Sequence, residues 1–169
     1  MKKLLLIVAA LTSSSVNAAH HKVELSDVDK CVMNVMEKYP GHVASMEAEI
    51  EKNRLIYEFD VKTKDGKEIE IECDAKKHTL HDYEVELKKG NKEFAAAAKI
   101  SENEAEKIAL KEYNGKVVDR EYAMENGKPV YEFDIYVAKK GHEYEVEVDG
   151  VTGEILEVEK ELYDIGSDS

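Results

Sequence analysis

Tyr57-Glu58-Phe59-Asp60 returns as Tyr131-Glu132-Phe133-Asp134, 74 residues further along the chain. The recurrence extends outward from that block in both directions. Upstream, a Ser-led helical segment (Ser26-Asp27-Val28-Asp29 in one copy, Ser101-Glu102-Asn103-Glu104 in the other) runs to a glycine, Gly41 or Gly115. Downstream, a turn ends in Gly66 or Gly141, and an acidic alternating stretch closes on Asp74 or Asp149. The offset grows to 75 at the turn, so the copies differ by one loop residue. A self-similar period of this length defines two copies of one structural unit, over residues 25–87 and 100–162.

Both helical segments open as capping boxes, the first with Asp in place of the usual Glu. Val28, Cys31, Val32, Val35, Met36 and Tyr39 recur at three- and four-residue steps, an apolar stripe that Pro40-Gly41 terminates. The second helix carries a thinner stripe of Ala105, Ile108, Ala109 and Tyr113. Beyond each helix the period is two. Leu55, Tyr57, Phe59 and Val61 face one way and Glu58 and Asp60 the other; Ile69, Ile71 and Cys73 alternate with Glu68, Glu70 and Glu72. The second copy repeats this with Tyr131, Phe133, Ile135 and Val137, then Tyr144, Val146 and Val148 against Glu143, Glu145 and Glu147. Such alternation predicts antiparallel strands covered on one face. The expected fold is α+β: two tandem repeats (23–90 and 99–164), each one helix packed on one face of an antiparallel sheet of about four strands. Residues 88–99, with Ala95-Ala96-Ala97-Ala98, read as a short connector, or as an N-terminal extension of the second helix.

The 169 residues carry 24 basic and 37 acidic side chains, a net charge of −13. That excludes nucleic acid and anionic lipid as natural partners and favours basic proteins or cations. Met1-Lys2-Lys3, an apolar run over 4–11 and Val16-Asn17-Ala18 read as a signal peptide over 1–18. The mature chain is then expected in the periplasm or secreted, with no membrane insertion after signal removal.

The second copy resembles the PepSY domain. The residues that carry the likeness are Ile100-Ser101-Glu102-Asn103-Glu104-Ala105-Glu106-Lys107-Ile108-Ala109-Leu110, then Tyr131-Glu132-Phe133-Asp134-Ile135. The most specific part is Val146-Glu147-Val148-Asp149-Gly150-Val151-Thr152-Gly153-Glu154-Ile155-Leu156. The first copy is similar but replaces the last turn with Asp74-Ala75-Lys76-Lys77-His78-Thr79, losing the Thr-Gly pair. The resemblance implies a helix over an antiparallel sheet, related to the repeats of the β-lactamase inhibitor protein. It further implies an envelope or secreted location, a role in restraining peptidases, and no catalytic residues.

Several residues stand out as candidate sites. Cys31 lies on the apolar stripe of the first helix and Cys73 on the apolar face of a strand beneath it, so a disulfide is expected in preference to two buried thiols. A free amine at Ala19, followed by His20 and His21, would suit Cu(II) or Ni(II) in a square plane. His78 and His81 are expected on opposite faces of a strand, and the remaining histidines show no ligand spacing. Glu68, Glu70, Glu72, Glu143, Glu145 and Glu147 form acidic stripes, read as a solvated sheet face, as a docking face for a basic segment, or as weak Ca²⁺ sites. No nucleophile elbow or triad-like context is present. The expected function is therefore non-catalytic: binding of another envelope protein or peptide, with a peptidase as the candidate target, through acidic faces and open sheet edges. The alternative is a periplasmic accessory for Cu/Ni or another small ligand.

Overall fold

The computed structural model describes residues 24–166. The expected signal peptide and the Ala19-His20-His21 amine site lie outside the described residues. Helix α1 (Asp27–Lys38) starts where Ser26 Oγ accepts from the Asp29 amide at 3.3 Å and the Asp29 carboxylate accepts from the Ser26 amide at 2.9 Å. Helix α3 (Glu102–Glu112) is capped the same way by Ser101 and Glu104. Each reciprocal cap satisfies two amides that a helix start would otherwise leave unpaired. Between the copies stands a third, short helix, α2 (Lys92–Ala97), capped by Asn91. The connector is thus partly helical, yet separate from α3.

Eight strands follow in chain order: β1 (Gly41–Glu51), β2 (Arg54–Thr63), β3 (Glu68–Asp74) and β4 (Leu80–Glu86) in the first copy, β5 (Lys116–Glu125), β6 (Lys128–Tyr136), β7 (Tyr144–Asp149) and β8 (Ile155–Gly166) in the second. All neighbours pair antiparallel. The register proves the repeat: Tyr57 faces Cys73 across β2–β3 as Tyr131 faces Val148 across β6–β7. Gly41 and Gly115 occupy equivalent places too, because a Cβ at either would overlap a carbonyl oxygen, of Lys62 or of Tyr136, at the end of the paired strand.

The two four-stranded sheets do not end in free edges. β4 pairs β5 through Glu84–Glu125, Val85–Met124 and Glu86–Ala123, and β8 pairs β1 from Ser45–Gly166 to Ile50–Lys160. The result is a closed eight-stranded barrel. Closure corrects the expectation of open sheet edges: each copy's last strand supplies the partner for the other copy's first, so both edges are consumed.

Closure also decides which face is inside. The helices lie against the outer wall, α1 on β2, β3 and β4, α3 on β6 and β7, and α2 on β5 and β6. Beneath α1, Cys31 and Val35 pack with Phe59, Val61, Ile69, Ile71 and Cys73. Beneath α3, Ala105 and Ala109 pack with Phe133, Ile135, Val146 and Val148. The second cluster is extended by Phe94 of α2, whose ring meets Tyr122 and Tyr131 edge-on at 5.4 and 4.9 Å. The predicted apolar sets are therefore core, except that Tyr57 and Tyr144 are only partly buried at its margin and Leu55 is not core at all. Leu55 is exposed and its neighbour Ile56 fully buried, because Leu55 lies past the end of the strip that α1 covers. Cys31 and Cys73 are bonded, Cα to Cα 5.9 Å, tying α1 to β3.

Candidate functional site: a carboxylate-lined barrel

With most apolar side chains on the outer wall, the alternate residues of every strand point inward, and in this chain most of them are acids, with Ser45, Ile56, Ala123 and Val130 among them. Opposed pairs run around the wall: Glu47–Glu58 and Glu58–Glu72 in the first copy, Glu121–Glu132 and Glu132–Glu147 at the matching positions of the second. Glu70–Glu84 and Glu145–Glu159 form the next equivalent pair of rungs. Like charges directly opposite one another destabilise a sheet even in water. Here many have left water altogether: Glu49, Glu58, Glu70, Glu72, Glu84, Glu132 and Glu159 are all buried.

The acidic stripes foreseen as an outer face divide accordingly. Glu70 and Glu72 are buried in the lumen, and Glu145 and Glu147 join them there, within reach of Glu58 and Glu159. Glu68 and Glu143 stay half-buried, Glu68 within 3.7 Å of Lys62 and Glu143 against Glu161. The six residues therefore do not share a solvent-facing patch. The correction follows from closure, since the face of a sheet that remains open in one copy becomes the lumen once two copies join.

Burial is the main cause of a strong upward shift in the carboxyl pKa of Glu49, Glu58, Glu70, Glu132, Glu145 and Glu147, and neighbouring carboxylates reinforce it. The same two causes raise Glu121 to about 8, with Glu86 and Asp60 as its nearest repelling charges. Burial, then Glu72, takes Glu159 to about 8. Glu84 rises to about 7, burial outweighing a lowering contact with Glu132.

Cations sit at the two ends. At the end bearing the 51–54 turn, Lys52 bridges Glu51 and Glu157 at 2.5 and 2.9 Å, and Arg54 contacts Glu51. His81 turns inward, its Nδ1 2.7 Å from Asp82 and 3.0 Å from Glu72, and these two hydrogen bonds raise its pKa to about 10. His78 instead leaves outward to Asp27 of α1 at 2.9 Å. Sequence spacing hid the Glu72–His81–Asp82 group because Glu72 and His81 meet only through the β3–β4 register. At the opposite end, a cavity of about 410 Å³ is lined by Asp60, Glu68, Glu86, Glu121, Leu87 and Tyr122 together with Lys62, Lys88, Lys89 and Arg120. Arg120 gives its guanidinium to Glu106 at 3.0 Å and Lys89 its amine to Glu102 at 2.6 Å. This vestibule shares Asp60, Arg120 and Glu121 with a lumen cavity of about 20 Å³.

The turn that carried the strongest family likeness is structural. Asp149 accepts from the amides of Val151 at 2.7 Å and Thr152 at 2.8 Å, as Asp74 accepts from Lys76 at 3.0 Å and Lys77 at 2.8 Å. Each carboxylate thus folds its own β-turn. For Asp74, the Lys77 amide chiefly, helped by the Lys77 ammonium, depresses the pKa to about 2.

This is a tandem-repeat protein with an acid-lined barrel, and the chain belongs to the peptidase propeptide and YPEB domain (PepSY) family, matched over residues 28–77 and 99–159. It is 29% identical over 119 residues to the uncharacterized protein YkoJ of Bacillus subtilis (strain 168), an alignment covering 70% of this chain and 65% of that protein. The crystal structure of CD1622, a lipoprotein candidate from Clostridium difficile 630, is 21% identical, with 83% of this chain and 96% of that one covered at a TM-score of 0.35.

Proposed function

We propose that this chain is a non-catalytic exported protein that binds a basic segment of another envelope protein or peptide, a peptidase being the first candidate. The observation that supports it most directly is the vestibule, where Asp60, Glu68, Glu86 and Glu121 stand beside Leu87 and Tyr122, while of the four cations on the same lining Lys62, Lys89 and Arg120 are engaged by Glu68, Glu102 and Glu106. A Lys or Arg side chain from a partner lays its alkyl stem on the apolar pair and its cation among the carboxylates. The net charge of −13 steers such a partner toward the barrel and makes association salt-dependent. The family description, which names peptidase propeptides, supplies the class of target.

The test is capture from native envelope extract on the immobilised mature chain, at low and high salt, with peptidase activity measured on what is retained. A retained peptidase that loses activity on binding, regains it in salt, and escapes when Glu68→Lys and Glu86→Lys are combined supports the reading. Recovery of no peptidase at low salt, or inhibition indifferent to both salt and the double variant, refutes it.

A further inference from the structure

We infer that the barrel lumen is a binding site for a hard divalent cation of the calcium class, with Glu49, Glu58, Glu145 and Glu159 as its ligands. One oxygen of each lies within 4.8 Å of one oxygen of every other. They come from β1, β2, β7 and β8, so both repeats contribute and the site exists only in the closed barrel.

Proximity of acids alone would not define a site. What does is that Glu49 and Glu159 are 0% and 2% exposed, and that among the described residues neither oxygen of either side chain has a hydrogen-bond partner outside the pair. The contact they make is with each other, carboxyl to carboxyl. Two ionised carboxylates have only lone pairs to offer, so that contact is repulsive until something positive sits between them. Further along the lumen, Glu132 is 3% exposed and likewise has both oxygens unpartnered, in a second group with Glu70 and Glu121. The charges that act most strongly on Glu49, Glu58 and Glu145 all belong to other carboxylates. An unpaired buried carboxylate has lost its hydration and gained nothing in return, so it is strongly unfavourable. A wall built of them therefore calls for a mobile positive charge.

The donor set selects which one. Four carboxylates offer up to eight oxygens and no nitrogen or sulfur, a poor match for zinc or copper. Calcium takes about six to eight oxygens at roughly 2.3–2.6 Å in adaptable geometry, whereas magnesium insists on an octahedron and retains several waters. The adjoining lumen cavity of about 20 Å³, lined by Glu58 and Glu145 of the four, leaves space for about one water, too little for a hydrated magnesium ion. The shared lining of lumen and vestibule supplies the route inward. Protons are the competing counter-charge, each neutralising one carboxyl, and the experiment separates the two. The cation site does not rest on the protein-binding reading and is read out without any partner.

Mature protein stripped with EGTA is titrated with CaCl₂ by calorimetry, and with Tb³⁺ by luminescence, at pH 7.5. Expected are saturable binding, a higher thermal midpoint with calcium as ligand linkage requires, and little competition from magnesium. In the Glu49→Gln/Glu159→Gln double variant, affinity falls about tenfold or more with the loss of ligand charge. Its calcium-free midpoint rises at pH 9, because no buried carboxyl pair is left there to ionise. That opposite sign separates a lost site from a damaged fold, Glu58→Gln provides a second lumen variant, and exposed Glu37→Gln on α1 leaves binding unchanged. Absence of calcium and terbium binding by the wild type, or binding that the lumen variants do not alter, overturns the inference and leaves protons as the counter-charge.

Discussion

Raising the pH from 5 to 8 in the absence of divalent cations should destabilise this protein, opposite to the usual loss of stability in acid. The lumen carboxyls hold their protons to higher pH when folded than when unfolded, so the native state binds more protons across that interval. Stability then falls as pH rises. For Glu84 the window runs from 4.5 to about 7, and for Glu159 from 4.5 to about 8. At 1.36 kcal/mol per pH unit, Glu84 alone accounts for roughly 3 kcal/mol. Glu159, competing with Glu49 for protons, adds a contribution of the same sign. His81 acts in the same direction, its stabilisation fully present below 6.5 and lost as pH climbs through about 10. The acid limit is set by Asp74, whose contribution persists above 3.8 and disappears as pH falls through about 2. The stability optimum therefore lies at about pH 4, between the 3.8 of Asp74 and the 4.5 at which the lumen windows open. For a domain of this size about 1 kcal/mol shifts the midpoint by roughly 2–4 °C. The melting midpoint, followed by circular dichroism in EGTA at fixed ionic strength, should thus drop by about 6 °C or more between pH 5 and 8. Glu159→Gln should flatten the slope. A midpoint that stays level or climbs over that interval would refute the burial of these acids, and with it the closed barrel.

Two further outcomes test the walls. Exported protein should show no free thiol before reduction, and Cys31→Ser/Cys73→Ser should lose roughly 4 kcal/mol in denaturant unfolding, the loop-closure value for a sequence separation of 42. Phe94→Ala should cost about 3–5 kcal/mol, because a ring 5% exposed is removed from between Tyr122 and Tyr131; hydrogen exchange should then rise first in α2 and β5.

Much of this architecture was legible before any coordinates, for reasons that are local. Ser26 with Asp29 and Ser101 with Glu104 announce helix starts within four residues, and Phe59, Ile71, Phe133 and Val146 announce the core by period alone. The disulfide followed from two local facts combined, a helix stripe and a strand face. What stayed hidden is non-local. The three-residue β4–β5 seam and the longer β1–β8 seam join residues from different copies, and no turn signal fixes such a pairing. Without those seams the polar face reads as solvated, and Glu70, Glu72, Glu145 and Glu147 look like surface. Period two states that side chains alternate, not which side meets water.

One local signal did distinguish the two cases, and it lies in the sign of the charges. A solvated sheet face ordinarily mixes lysine with glutamate, as the surface of α1 here mixes charges with Lys30 near Asp27. The inward positions of β3 and β7 are Glu68, Glu70 and Glu72 and then Glu145 and Glu147, without a single lysine among them. Surface drift has no reason to keep lysine out of the middle rungs of two separate copies while admitting it at the rim, where Lys62 stands opposite Glu68. A lumen that must attract positive charge from outside does have that reason, since a built-in lysine would occupy the place of the ion. The same logic explains why the barrel's own cations stand at its two ends, Lys52, Arg54 and His81 at one and Lys62, Lys88, Lys89 and Arg120 at the other: there they partly offset the acids yet leave the Glu49–Glu58–Glu145–Glu159 group to its ligand.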